Sequence, residues 1–159
     1  MKDGEGKQRE PRAGDPVTLR EITRENLTDV LRLQVAPDQK GLVADNGCSI
    51  AQGCFHDEAW FRAIYAGEAP VGFVMLSEEP DKPEYYVWRL MIDARHQRMG
   101  FGRRAMELVI ERVRGRPNAT ELLLGVVPKD GSALDFYAGL GFEDTGRVDD
   151  GETVLRLAL

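Results

Sequence analysis

The sequence predicts an α/β protein in which about four helices flank a mixed, mostly antiparallel sheet of roughly six or seven strands. Short apolar runs of strand length alternate along the chain with stretches whose apolar residues recur at helical spacing. One such stretch, 102–114, has a continuous apolar stripe, as expected for a helix that packs on a sheet. With 159 residues, of which 42% are hydrophobic and 30% are charged, the chain has the size and composition of one globular domain.

The first elements are predicted from the start of the chain. Residues 1–16 contain three glycines, two prolines and no hydrophobic periodicity, so we expect a disordered tail followed by a domain over 17–159. The alternation in Val17–Ile22 predicts the first strand. A helix follows, with Thr23 as its expected N-cap, and residues 38–55 predict a second, broken helical stretch.

The rest of the chain predicts a hairpin, two single strands, two helices and a final pair of strands. In order these are strands over 60–65 and 71–76, a strand over 84–92, a helix from Gly102 to Gly115, a strand over 121–127, a short helix over 132–140 and strands that end at Leu159. The run 121–127 is nearly continuous in apolar residues, so we place it near the centre of the sheet.

Charge and composition narrow the classes of function. The formal net charge of −6 disfavours non-specific nucleic-acid binding and suits a cationic substrate, although solubility alone also explains an acidic balance. Cys48 and Cys54 have neither redox nor zinc spacing, and His56 and His96 are too few to complete a metal site. We therefore expect no metal and place both histidines on the surface. The chain shows no signal peptide and no apolar run of membrane-spanning length, so we expect a cytoplasmic protein without a membrane partner.

The segment Gln97–Gly102 says most about function. It follows the apolar run Tyr86–Ile92 and opens the amphipathic helix, so a strand, a glycine turn and a helix come in direct succession. The first N–H groups of a helix have no partner within it, and its positive end attracts anions. Glycines let an anion approach the backbone closely. We therefore expect a phosphate or pyrophosphate ligand, and the alternative is an ordinary surface turn.

Two further segments, Met91–His96 and Ser132–Phe142, flank this turn. In order and separation the segments resemble the GNAT family of acyl-CoA-dependent N-acyltransferases, whose corresponding segments bind pyrophosphate and carry an acid tyrosine. The resemblance runs from about Val17 to Leu159. It implies the GNAT fold, acetyl-CoA as co-substrate and a small-molecule amine as acceptor, and it leaves a homodimer open.

In this family the fourth and fifth strands separate, and the pantetheine arm of the cofactor fills the gap. The resemblance implies that the arm pairs with the fourth strand and that the pyrophosphate lies on N–H groups of the glycine turn. The residues implied in cofactor binding are Leu90, Met91, Ile92, Gln97, Arg98, Met99, Gly100, Phe101, Gly102, Arg103, Asp130, Ser132 and Tyr137. Arg98 is favoured for a phosphate contact, whereas Arg103 and Arg104 fit a solvated helix face equally well. Asp130 stands where the family often has an asparagine, and the N–H groups of Gly131 and Ser132 are alternative donors.

The resemblance also implies the proton chemistry. Tyr137 matches the acid tyrosine, whose O–H donates to the departing thiolate, and its alternative role is core packing. Several family members place a glutamate base on the fourth strand, but the matching position here is Tyr86. Glu84 lies on the same strand face by two-residue alternation and is the first candidate base. A solvated strand-end charge at Glu84, with a water chain as the base, is the alternative.

Within the family, Ser49–Gln52, Ala63–Tyr65, Pro70–Leu76 and Tyr86–Asp93 resemble bacterial spermine/spermidine (diamine) acetyltransferases. A polyamine needs carboxylates for its ammonium groups and aromatic faces for its methylenes. The candidate acceptor contacts are Tyr86, Trp88 and Asp38. Three functions stay open: a polyamine N-acetyltransferase, a GNAT enzyme for an aminoglycoside, amino acid or protein N-terminus, and a non-catalytic acyl-CoA-binding module.

Overall fold

The computed structural model describes residues 8–129 and 133–159, and over these ranges the chain forms one seven-stranded sheet flanked by helices. The strands are β1 (Val17–Arg20), β2 (Ala59–Ala66), β3 (Ala69–Glu79), β4 (Glu84–Ile92), β5 (Glu121–Val126), β6 (Glu143–Asp149) and β7 (Glu152–Ala158). The helices are α1 (Leu27–Arg32), α2 (Asn46–Gly53), α3 (Phe101–Arg114) and α4 (Leu134–Ala138), with short 3₁₀ turns at Pro37–Gln39 and Ala94–His96. The predicted fold class is confirmed.

The order of the strands in the sheet is β1-β2-β3-β4-β5-β7-β6. Every neighbouring pair is antiparallel except β4 and β5, which run parallel. Parallel neighbours need a crossover connection, and α3 supplies it. The apolar strand β5 lies between β4 and β7, in the inner position that its sequence predicts.

The ladder between β4 and β5 is short. The two strands pair only at Tyr86–Leu123 and Val87–Leu124, whereas β4 stays paired with β3 as far as Ile92. Beyond Val87 the parallel strands therefore diverge, and the last part of β4 is left open on the side that faces β5.

A bulge in β4 lies at the point of divergence. Arg89 pairs with Met75 and Val87 pairs with Leu76, so one step along β3 corresponds to two steps along β4. Trp88 is the extra residue. Bulges of this kind bend a strand and increase its local twist, which helps to turn β4 away from β5.

The bulge also changes which residues of β4 face each helix layer. Tyr85 and Val87 pack in the core on the α3 side before the bulge, and Leu90 and Ile92 pack on that same side after it. Trp88 packs on the opposite face. The simple two-residue alternation of a strand is thus interrupted once, between Val87 and Leu90.

Two apolar clusters, one on each face, hold the sheet between the helices. On the α3 side the buried helix residues are Ala105, Met106, Val109, Ile110 and Val113, as the sequence predicts. On the other face Val30 and Leu33, at the end of α1, pack against Phe73 and Met75 of β3. Burial of apolar surface at about 25 cal/mol per Å² makes these clusters the main source of stability.

Two local predictions are wrong. Helix α1 begins at Leu27 rather than directly after Thr23, because Asn26 Oδ1 accepts the Thr23 N–H at 2.8 Å and closes a turn ahead of the helix. His96 is buried rather than on the surface, with 7% of its surface exposed at the end of the second 3₁₀ turn. His56 is exposed, as predicted.

The segment before β1 contacts the turn between β2 and β3. Gln8 Nε2 donates to Glu68 O at 2.7 Å, and the Gly67 N–H donates to Pro16 O at 2.8 Å. Residues 1–7 of the predicted tail lie outside the described ranges, and the domain boundary stays a prediction.

Candidate active site

A cleft of 1120 Å³ opens where β4 and β5 diverge. It is lined by β4 and β5 themselves and by three groups of residues that the chain brings to their edges. The strands contribute residues 86–92 of β4 and residues 124–127 in and after β5. The three groups are residues 41–44 before α2, residues 100–103 at the start of α3, and the pair Tyr137 of α4 and Glu152 of β7. The cleft therefore collects residues from both halves of the sheet.

The open edge of β4 is the first feature of the cleft. Within the described ranges, residues 89–92 have strand partners in β3 and none in β5. A ligand with amide groups can complete such an edge in the way that an added strand would. The predicted cofactor contacts Leu90, Met91 and Ile92 all lie on this edge and line the cleft.

The glycine turn is the second feature. Arg98 and Gly100 have φ values of +61° and +86°, so the backbone reverses direction before α3 starts. The first hydrogen bond of the helix runs from the Arg104 N–H to Gly100 O at 3.1 Å. The N–H groups from Gly100 to Arg103 precede that bond, and within residues 8–129 and 133–159 they have no backbone acceptor, so they can meet an anion. A Cβ on Gly100 would meet no atom within 4 Å, so the space above the turn is open.

Gln97 holds this turn in place. Its Nε2 donates to Ile92 O at 3.0 Å and to Gln39 Oε1 at 2.7 Å. The side chain thus connects the end of β4 to the first 3₁₀ turn. In the structure the Gln97 side chain fixes the position of the glycine turn, a role that the spacing of the motif does not reveal.

The arginines near the turn differ in their partners. Arg103 Nε lies 3.5 Å from Glu107 Oε1, and Arg104 Nη1 lies 3.1 Å from Glu107 Oε2. Arg98 lines the cleft and has no carboxylate within salt-bridge distance in the described ranges. Arg98 is therefore the guanidinium near the turn that is best placed to neutralise phosphate charge.

Asp93, which the sequence did not single out, anchors the start of the turn. Its carboxylate accepts the Gln34 N–H at 3.0 Å, the Arg95 N–H at 3.0 Å and Arg95 Nε at 2.9 Å. Burial alone would raise the pKa of Asp93, but these hydrogen bonds and the Arg95 charge outweigh it and hold the pKa below its usual value. The charged form of Asp93 thus joins the end of β4 to the segment after α1.

Tyr137 lies in α4 with 8% of its surface exposed. Its ring stands edge-on to Phe136, with centroids 5.0 Å apart, and to Phe142, with centroids 5.6 Å apart. Burial among these rings raises the pKa of the Tyr137 hydroxyl, so the tyrosine keeps its proton well above neutral pH. A neutral phenol that lines a cleft can act as a proton donor there.

The carboxylate of Glu152 and the phenol of Tyr86 both lie close to Gly125 of β5. A Cβ placed on Gly125 would lie 2.1 Å from Glu152 Oε2 and 2.8 Å from Tyr86 Oη, so both oxygens use the space that the glycine leaves. Burial raises the pKa of Tyr86, and the nearby charges of Glu152 and Asp149 raise it further. Sequence reasoning missed Glu152. The available signal was Gly125 itself, because a glycine inside an apolar strand marks a close approach of another group.

Trp88 and Arg89 line the cleft beside the bulge. The Trp88 ring stands edge-on to His56, with centroids 5.4 Å apart. Arg89 Nη1 donates to Trp88 O at 2.8 Å and Nη2 donates to Gln52 Oε1 at 3.2 Å, while its buried Nε has no acceptor in the described part of the chain. Arg89 thus places a positive charge beside Trp88, and no carboxylate of the residues that the structure describes pairs with it.

Glu84 and Asp38 are not brought to the cleft. Glu84 is exposed at the start of β4, opposite Glu79 of β3. The alternation that groups it with Tyr86 is correct, but β4 and β5 are still joined at Tyr86, so the cleft ends before Glu84. Asp38 is exposed in the first 3₁₀ turn, and its neighbour Gln39 lines the cleft instead.

Other predicted features can be placed only in part. Asp130 and Ser132 lie outside the described ranges. Within those ranges, no group of three or more His, Cys, Asp or Glu side chains is arranged to hold a metal ion. Among the residues that the structure describes, no helix is both long and apolar enough to cross a membrane.

The chain is similar in sequence to one characterised enzyme and in fold to several solved structures. Spermine/spermidine N(1)-acetyltransferase of Bacillus subtilis (strain 168) is 24% identical over 148 residues, which cover 87% of this chain and 96% of the relative. An acetyltransferase from Thermus thermophilus superposes with a TM-score of 0.71 at 21% identity, covering 90% of this chain and 97% of the other. The PaiA N-acetyltransferase from Thermoplasma acidophilum, in complex with coenzyme A, superposes with a TM-score of 0.68 at 14% identity, covering 91% and 99%.

The family assignment rests on a match over most of the chain. Residues 22–142 match the Acetyltransferase (GNAT) family. The matched range starts after β1 and ends at Phe142, so it includes the open edge of β4, the glycine turn and Tyr137. The protein belongs to the GNAT acetyltransferase family and is an N-acetyltransferase.

Proposed function

We propose that the protein transfers the acetyl group of acetyl-CoA to a primary amine of a polyamine such as spermidine or spermine, with Tyr137 as the general acid. The observation that carries this proposal is the cleft between β4 and β5. An open strand edge, a helix N-terminus with free N–H groups and a buried tyrosine line this one space. The three features correspond to a site for an amide-bearing arm, a site for phosphate and a proton donor.

The residues present fit acetyl-CoA, which supplies the activated acetyl group as a thioester. The N–H groups from Gly100 to Arg103 and the guanidinium of Arg98 suit a pyrophosphate. The open edge of β4 from Ile92 to Trp88 suits the amides of the pantetheine arm. These four steps along a strand cover about 13 Å, which directs the end of such an arm towards the join between β4 and β5, beside Tyr86.

The proton chemistry follows from burial. The Tyr137 hydroxyl is protonated at neutral pH like any phenol, and burial raises its pKa further. It can give that proton to the sulfur that leaves. The acceptor amine, in contrast, carries a proton too many at neutral pH. An alkyl amine has a pKa of about 10.4, so only about one molecule in 2,500 is neutral at pH 7. The amine must lose a proton before its nitrogen can attack.

Charge and aromatic surface support a polyamine as the acceptor. Asp150 and Glu152 line the cleft, and Asp149 is close enough to Tyr86 to raise its pKa. Tyr86 and Trp88 offer aromatic surface to methylenes and ammonium groups. The spermine/spermidine acetyltransferase of Bacillus subtilis is a relative over nearly its full length. The net charge of −6 favours a cationic partner as well.

An amino acid is the second candidate acceptor, and Arg89 is the observation that favours it. This arginine lines the cleft without a carboxylate partner in the described ranges, so it could pair with an acidic group on the substrate. Lysine and cadaverine distinguish the two candidates, because they differ only in the carboxylate that lysine carries.

The test is a panel of amines with acetyl-CoA, in which the release of free thiol is followed. We expect kcat/KM to be highest for spermidine and lower for putrescine, with butylamine lowest, because a second ammonium held at a carboxylate orients the reacting amine. Added salt should raise KM for spermidine more than for butylamine, since screening weakens the remote contact. Equal values for the three amines would reject the polyamine, and a preference for lysine over cadaverine would favour the amino acid.

A further inference from the structure

Glu152 is a carboxylate inside the cleft that none of the motifs includes. It is the first residue of β7, yet its side chain reaches across β5 towards β4. The strand order β4-β5-β7 places Gly125 of β5 between the backbone of Glu152 and the ring of Tyr86. A side chain at position 125 would block that path, since Glu152 Oε2 lies only 2.1 Å from where its Cβ would be.

The surroundings of Glu152 are acidic. Asp149 of β6 pairs with Glu152 in the sheet, and Asp150 of the connecting turn lines the same cleft. Burial, followed by the Glu152 and Asp149 charges, raises the pKa of Tyr86 of β4. Arg147 of β6 is the cation that acts on Tyr86, and it is not within salt-bridge distance of Glu152. In the described ranges the Glu152 carboxylate therefore has no counter-ion of its own.

We propose that Glu152 is the general base that takes the proton from the acceptor ammonium, and that the absence of a side chain at Gly125 lets it reach the reacting nitrogen. This proposal rests on the proposed function. The carboxylate sits where β4 and β5 join, at the end of the open edge to which the cofactor arm is directed. An ammonium group supplies the missing counter-ion, and Tyr86 Oη is a second oxygen for its N–H donors.

The ammonium gives one proton to Glu152, which passes it to solvent, and the nitrogen lone pair then forms a bond to the acetyl carbonyl carbon. The carbon–sulfur bond breaks, and its electron pair leaves on sulfur, which takes the proton of Tyr137. The nitrogen loses its second proton to restore Tyr137. The products are the N-acetylamine, the free thiol of CoA and one released proton.

The test starts with Glu152→Gln, which keeps the size of the side chain but cannot accept a proton. We expect kcat/KM for the best amine at pH 7 to fall by about 10²–10⁴-fold, with CoA affinity unchanged in calorimetry. The deficit should shrink as the pH is raised towards 10, because the amine then loses its proton without help. Glu111→Gln, at an exposed position of α3, is the matched control and should keep wild-type rates.

A second variant tests the role of Gly125. Gly125→Ala adds a methyl group that overlaps both Glu152 Oε2 and Tyr86 Oη, so the ends of both side chains must move away from position 125. We expect it to lose most of the activity that Glu152→Gln loses, and the double variant to lose little more than either single variant. Folding is checked by circular dichroism, and calorimetry with CoA shows whether the methyl group also obstructs the cofactor.

The outcomes separate this inference from the proposed function. An active wild type together with a Glu152→Gln variant that keeps the wild-type rate and pH profile would overturn the inference alone. The same holds if Glu84→Gln, at the exposed end of β4, shows the loss instead. If the wild type acetylates no amine in the panel, the proposed function fails and the inference fails with it.

Discussion

Tyr137→Phe tests the proposed acid directly, because it removes one hydroxyl and leaves the ring. The ring packs edge-on against Phe136 and Phe142, so the apolar contacts of the phenylalanine variant match those of the wild type. The stability of the fold should therefore change by less than about 1 kcal/mol. General-acid catalysis contributes about 10²–10⁴-fold, which corresponds to roughly 2.7–5.5 kcal/mol in the activation barrier.

The assay compares kcat for thiol release with CoA affinity and Tm. We expect kcat to fall within that range while CoA affinity and Tm stay close to wild type. Because burial raises the pKa of Tyr137, its deprotonation should cause no loss of wild-type rate between pH 7 and about 9.5. A variant with wild-type kcat would refute the reasoning and leave Tyr137 as a packing residue with solvent as the acid.

Three further predictions concern the turn and the ion pairs. Gly100→Glu should abolish CoA affinity, because it adds a negative charge at the turn as well as backbone strain. Gly100→Ala adds only the strain at a φ of +86° and should weaken the affinity less, and calorimetry with CoA compares the two variants. Asp93→Asn should lower the free energy of unfolding by about 1.5–3 kcal/mol at pH 7. Since the pKa of Asp93 is lowered in the folded state, this deficit should shrink as the pH falls below about 4 and through the folded pKa; urea unfolding at several pH values checks it. Glu78→Gln should cost about 2 kcal/mol in urea unfolding at neutral pH, because the buried Glu78 carboxylate accepts from Arg112 at 2.8 and 3.1 Å; unchanged stability would mean that this pair contributes nothing net.

The parts of the fold that local patterns determine could be predicted from the sequence. The stripe of α3 and the glycine turn are encoded in consecutive residues, so periodicity and spacing reveal them. The open edge of β4 was predicted from the family resemblance, and the structure shows where along β4 this edge begins. The strands are paired only as far as Val87–Leu124, and the bulge in β4 lies at the next residue, Trp88.

The parts of the site that depend on long-range packing could not be predicted in this way. Glu152 follows Gly125 by more than twenty residues and meets Tyr86 only because β7 lies next to β5. Glu84 was predicted as a site residue but lies outside the cleft. Two-residue alternation places it correctly on the face of Tyr86, but alternation does not show where along β4 the cleft ends. Gln97 lies in the motif, yet its partner Gln39 comes from a distant 3₁₀ turn.

The bulge in β4 has a consequence for how such a cleft can arise in evolution. Removal of Trp88 would leave Tyr85, Val87, Leu90 and Ile92 in one unbroken two-residue alternation, so each would keep the face that it has now. A strand without the bulge could continue alongside β5 and close the sheet. Deletion of a residue after Leu90 would instead move the side chains that follow it to the opposite face of the sheet. A one-residue insertion at this position therefore changes how β4 pairs with its neighbours while its core residues keep the face that packs against α3.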